Sequence, residues 1–179
     1  MSVTGRATAH ASLQQEATRA RFAGYAACAW AVAFAAASFY WAAGGTAGGA
    51  TIGPMLERLG QTREPGFVVI LWLTGALKLV VGGLALALTQ PWGRRIPRWA
   101  LLLGAWSAIV VLALYEGAAS LVQHALMVTG VIATPSGLGS TAARWHLFLW
   151  DPWWLLGGVL VLFAARYYQR TTRSRETGV

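Results

Sequence analysis

Three ionisable side chains, Lys78, Glu116 and Asp151, lie in or at the edge of apolar stretches of this sequence. Lys78 is the clearest case, at the middle of the run FVVILWLTGALKLVVGGLALALT over 67–89. A hydrocarbon core of about 30 Å takes roughly 20 apolar residues of helix to cross. A charge near the centre of such a helix costs about 3 kcal/mol on insertion scales, so it should turn toward protein or a wet cavity. His124, His146 and Tyr115 fall near enough in the pattern to join them. These six residues define a candidate intramembrane polar site. Three chemistries fit: an internal ion pair that sets helix register, a ligand, proton or ion site, and acid–base work on a lipid-like substrate. For Lys78 the acidic partner expected first is Glu116, and second Asp151.

Motifs that would sharpen the choice are missing from the sequence. It has no phosphate-binding glycine loop, no His-Glu-x-x-His, no Gly-x-Ser-x-Gly and no Cys-x-x-Cys-His. No catalytic residue is assigned, and the reading leans away from an enzyme. Two histidines without fixed local spacing do not make a metal site, so neither metal nor cofactor is expected. Cys28 is the single cysteine, which excludes an intrachain disulfide and a two-cysteine redox cycle.

The elements that must position these groups are four apolar spans, at about 22–43, 67–89, 99–127 and 147–165, forming an all-α integral membrane four-helix bundle over 22–168. Residues 1–21 form a polar N-terminal segment and 169–179 a basic tail. The third run is too long for the hydrocarbon core at about 1.5 Å per residue, so it either projects beyond the membrane or bends near Gly117. Asp151 followed by Pro152 reads as a helix N-cap and first turn, with the residues before it at the interface. In the first loop, Met55 to Leu59 read as one helical turn.

Charged residues are 11% of the 179 residues, against about a quarter in soluble chains. Lipid must therefore be the solvent for much of the surface. The net charge of +8 sits in arginines flanking the spans, which argues against nucleic acid and for the positive-inside pattern. Arginines cluster in the N-terminal segment, in the 90–98 linker and in the tail, so both termini should be cytoplasmic. The same arginines suit anionic headgroups. Trp41, Trp145, Trp150, Trp153 and Trp154 gather at the outer ends of the first and fourth spans. They read as an interfacial belt or as an aromatic pocket. Trp30 lies deeper and should pack with its indole N–H on a carbonyl. The glycine pairs 82–83 and 157–158 should let helices approach closely.

The stretch Trp150-Asp151-Pro152-Trp153-Trp154-Leu155-Leu156-Gly157-Gly158, preceded by Arg144-Trp145-His146, resembles a family of small multi-pass bacterial membrane proteins classed as a domain of unknown function. Phe39-Tyr40-Trp41-Ala42-Ala43-Gly44-Gly45 and Pro91-Trp92-Gly93-Arg94-Arg95 fit the same pattern. The resemblance spans roughly residues 22–168 and implies four spans in a bacterial plasma membrane, with no activity to carry over. The leading function is a non-enzymatic bundle acting through membrane lipids, a protein partner or a homodimer. The alternatives are a small-molecule or ion binder or carrier using Lys78, and a membrane enzyme on a lipid-like substrate. The topology has a direct test. Alkaline phosphatase fused at Gln61 or Ser140 should be active, and fused at Arg95 or after Arg175 inactive. Activity at Arg95 overturns the orientation.

Overall fold

With lipid for solvent, backbone N–H and C=O groups must be satisfied within the chain, and apolar runs of this length do so as helices. The computed structural model describes residues 3–176, with side chains described over 14–172. The described residues form helices, turns and loops, with no strand. Helix α1 is Val3–Ala42, so the polar N-terminal segment continues the helix of the first span. Helix α2, Pro54–Gln61, is a short outer-loop helix that includes Met55 to Leu59. Helix α3 is Pro65–Thr89. The third span is α4 (Arg98–Ile109), a π-helical stretch Val110–Ala119, and α5 (Ser120–Val128). The fourth is α6 (Gly139–Trp145), a second π-helical stretch His146–Trp150, and α7 (Asp151–Glu176). Among the described residues, four helices are long and apolar enough to cross a membrane: Gln14–Ala42, Pro65–Thr89, Arg98–Val128 and Gly139–Thr172.

One local expectation changes. The third span runs as one helical stretch from Arg98 to Val128, with Gly117 inside its π-helical part. Asp151 is not a cap. It sits inside a helix that begins at Gly139, with helical angles of φ −67° and ψ −45°. Its N–H donates to the carbonyl of His146, five residues back. The reason lies next door. Pro152 has no N–H to give and crowds the preceding turn, and the i→i+5 turn absorbs the interruption without ending the helix.

Small residues bring the helices together. Ala27, Ala31 and Ala35 form a buried stripe on α1. A Cβ added at Gly82 of α3 would lie 2.9 Å from the Ala31 Cβ. The third and fourth spans touch through two glycines. A Cβ at Gly117 would come within 2.9 Å of the Leu155 Cα, and one at Gly158 within 2.6 Å of the Ala113 Cβ and backbone nitrogen. Gly157 is closed by the Trp30 ring. Outside this core, Phe22, Leu73, Leu77, Val80, Leu103 and Phe163 are exposed, as suits a lipid-facing surface. At the outer end the two long loops lock together, with the Met55 N–H donating to the Gly137 carbonyl at 3.2 Å.

The glycine crossing makes a prediction. Gly158→Ala should cost about 1–3 kcal/mol through overpacking. Gly83→Ala, where an added Cβ meets nothing within 4 Å, should be neutral or gain up to about 1 kcal/mol from helix propensity. Thermal unfolding in detergent micelles measures both, and equal shifts would show that the crossing is not the tight contact described.

Candidate functional site

Among the described residues the most buried ionisable side chain is Asp151, 1% exposed, at the first residue of α7. A lone carboxylate at such depth would carry a large desolvation cost, so it must be paired or hydrogen-bonded. Two imidazoles do this. His124 of α5 sets Nδ1 at 2.8 Å from Asp151 Oδ2, and His146 sets Nδ1 at 3.6 Å from Oδ1. Each histidine thus faces its own carboxylate oxygen. The two rings stack on one another, with centroids 4.6 Å apart and planes at 28°. One ligating atom from each of the three residues falls within 4.8 Å of the others.

The backbone explains why these groups meet. Residues five apart on an α-helix point about 140° away from each other, at roughly 100° per residue. His146 and Asp151 are five apart, and the π turn between them brings both to one side. His124 comes from the third span, one turn beyond its own π stretch. Glu116 lies within that stretch. It is half-buried, within electrostatic range of Asp151, His146, Lys78 and His124, and forms no ion pair among the described residues.

Lys78 is held differently from the expectation. Its Nζ donates to Ser38 Oγ at 2.8 Å, sits 3.6 Å from the centre of the Phe34 ring and 5.3 Å from that of Trp154. Neither Glu116 nor Asp151 pairs with it. Asp151 is already shared by two imidazoles, and α3 packs chiefly on α1, which supplies Ser38 and Phe34. The ammonium rests on ring faces, where the aromatic quadrupole attracts a cation. Ser38, 2% exposed, is the partner that sequence reasoning missed. Its signal was there: a hydroxyl deep in an alanine-rich span, four residues beyond Phe34 and so on the same face.

The remaining candidates divide. Tyr115 is 68% exposed. Trp41, Trp150, Trp153 and Trp154 join Trp30 and Phe34 in a packed aromatic group. Trp30 Nε1 donates to the Trp153 carbonyl at 2.8 Å, and Trp150 Nε1 to Thr51 Oγ1 at 3.2 Å. Trp145 is exposed beside Arg144 and Phe148, apart from that group. The structure therefore brings His124, His146 and Asp151 together, keeps Glu116 near, and gives Lys78 a separate seat.

Residues 31–161 match the model of a family described as "Protein of unknown function (DUF3995)". The chain belongs to this family. No curated protein and no solved structure matches it. Every residue of the cluster, and Phe34, Ser38, Lys78 and Trp154 around the ammonium, fall within the matched stretch.

A double-mutant cycle tests the seat of the lysine. Ser38→Ala removes the acceptor of a charged hydrogen bond, worth about 1.5–3 kcal/mol. Ser38→Ala and Lys78→Met together should destabilise by less than the sum of the singles. Lys78→Met with Glu116→Gln should come nearer to additive. The reverse pattern in thermal unfolding would return the lysine to Glu116.

Proposed function

We propose that this family member is a membrane-embedded binding protein for a first-row divalent transition-metal ion, held by His124, His146 and Asp151. The observation that carries this reading is the shared Asp151 carboxylate, buried and faced by two imidazoles. Two neutral imidazoles and a carboxylate form a donor set suited to zinc, iron or nickel rather than magnesium or calcium. A tetrahedral ion with bonds of about 2.0–2.1 Å keeps its ligand atoms about 3.3 Å apart. The histidine–carboxylate separations of 2.8 Å and 3.6 Å bracket that value, and the three ligand atoms lie within 4.8 Å of one another, so side-chain rotations would have to draw the set together around an ion. Charge supports it too. Asp151 and the nearby Glu116 together offset a divalent cation, and a neutral centre is the inexpensive one in a low dielectric. This moves the ion-binding reading from Lys78 to the histidines, with Lys78 as a structural cation.

We place the protein in a bacterial plasma membrane with both termini inside, on the strength of the arginine clusters in the 90–98 linker and at both ends. The centre then lies in the outer half of the bundle, and the half-buried His146 is its exposed side.

The test uses the purified full chain in detergent, stripped with a chelator and dialysed against Zn²⁺ or Co²⁺. One ion per chain should bind, with a visible ligand-field spectrum for cobalt. At an ion concentration 100 times Kd the native state should gain about 2.7 kcal/mol. Asp151→Asn and the pair His124→Ala with His146→Ala should lose the ion and the spectrum. Wild-type protein that retains no more metal than these variants would overturn the proposal and leave the cluster as a packing network.

A further inference from the structure

At the end of the bundle opposite the histidines, α1 and α7 enclose a cavity of about 520 Å³. The two helices run in opposite directions, yet their side chains are in matching order. On α1, Ala23 and Phe22 are followed toward the helix start by Arg19. On α7, Leu160 and Phe163 are followed toward the helix end by Arg166 and Arg170. Phe22 and Phe163 are 72% and 61% exposed, so both stand in the lipid-facing surface. The cavity is thus apolar at its inner end and basic at its outer rim, with Glu16 the one acidic residue lining it among the described residues.

A second cavity of about 520 Å³ adjoins it, and Tyr167 lines both. Arg21, Arg94, Arg95 and Arg98 border this one, with Thr171 and Thr172 on α7. The Gln90 side-chain amide nitrogen, also at this cavity, is shut off from solvent and has no acceptor among the described residues. A buried amide donor normally has a partner, and an exception calls for an explanation.

We infer that this paired groove is a binding site for an acidic phospholipid of the surrounding bilayer. Its acyl chain lies along Phe22, Leu160 and Phe163. Its phosphate lies among Arg19, Arg166 and Arg170, and the adjoining arginines receive the rest of the headgroup, with the Gln90 amide reached by a side-chain rotation toward the cavity. The graded order of apolar and basic residues on both helices is what a membrane lipid presents, chain first and phosphate last. A free phosphate would use the arginines and ignore the phenylalanines. Basic pockets between spanning helices are suited to such headgroups, at about 1 kcal/mol per basic residue near the surface. The site is independent of the histidine cluster, at the other end of the molecule.

Native mass spectrometry of the full chain in detergent tests it. The protein is titrated with phosphatidylglycerol, phosphatidylcholine of the same chains, or inorganic phosphate. Phosphatidylglycerol should be retained and the other two should not. Arg19→Gln with Arg166→Gln should weaken retention about fivefold per arginine, the factor that corresponds to about 1 kcal/mol each. Phe22→Ala with Phe163→Ala should also weaken it. Arg144→Gln, on the outer side, should leave it unchanged. Thermal unfolding confirms that each variant is folded. Should the double arginine variant not fold, Arg94→Gln with Arg95→Gln takes its place with the same expected loss. Equal retention of phosphatidylcholine, or undiminished retention in the folded arginine variants, overturns the site. Phosphate bound as strongly as the lipid, with no effect of the phenylalanine changes, overturns the lipid as its occupant.

Discussion

A carboxylate that water cannot reach governs the second half of this molecule. Asp151 is closed off almost completely, and a buried charge is tolerated only where paired and hydrogen-bonded. Meeting that demand takes two histidines from two places in the chain, and a backbone willing to leave the regular α-helix. The π turn at His146–Trp150 does two jobs at once. It accommodates a proline that cannot donate, and it swings His146 round to the carboxylate it would otherwise face away from. The stretch that would disturb a regular helix is therefore the one that assembles the polar centre.

Close helix approach is the second requirement, because the histidine on the third span has to reach the fourth. Gly117 and Gly158 remove the side chains that would hold the two apart. In lipid, with little hydrophobic force between helices, such small-residue contacts carry much of the association. The bulky aromatic residues occupy the other side of the same helix. Trp153 and Trp154 fill the space toward α1, and Trp30 closes over Gly157. Tight packing on one face and filled volume on the other fix how α7 is rotated, and so where Asp151 points.

The four spans were legible because their signal is bulk hydropathy and length, which tertiary context barely alters. The glycine pair 157–158 was legible for the same reason: only small residues fit a crossing. The polar centre was legible by residue type but not by geometry. A reading at 3.6 residues per turn puts His146 and Asp151 on different faces, and the Asp-Pro pair at 151–152 looks like a helix start. Both inferences follow from regular α-helix periodicity, which the π turn suspends over a few residues. Lys78 was legible as an interior charge, but its partner was sought among the acids. A hydroxyl and two aromatic rings suffice, because a cation–π contact and one strong hydrogen bond replace much of what a counter-ion would supply.

The partners of the two interior charges are divided in a particular way along the chain. Lys78, on the second span, donates its hydrogen bond to Ser38 on the first. Asp151, on the fourth, takes its partners from the third span and from its own helix. Each neighbouring pair of spans thus solves its own charge problem before the other is present. A chain delivered to the bilayer from its N-terminus can release the first hairpin with its ammonium already bonded, and the second with its carboxylate already covered. Neither the ammonium nor the Asp151 carboxylate then waits unaccompanied for residues of the other hairpin. The halves are joined by polar contacts of their own, the Trp30 indole on the Trp153 carbonyl, the Trp150 indole on Thr51 Oγ1 and the Met55 N–H on the Gly137 carbonyl.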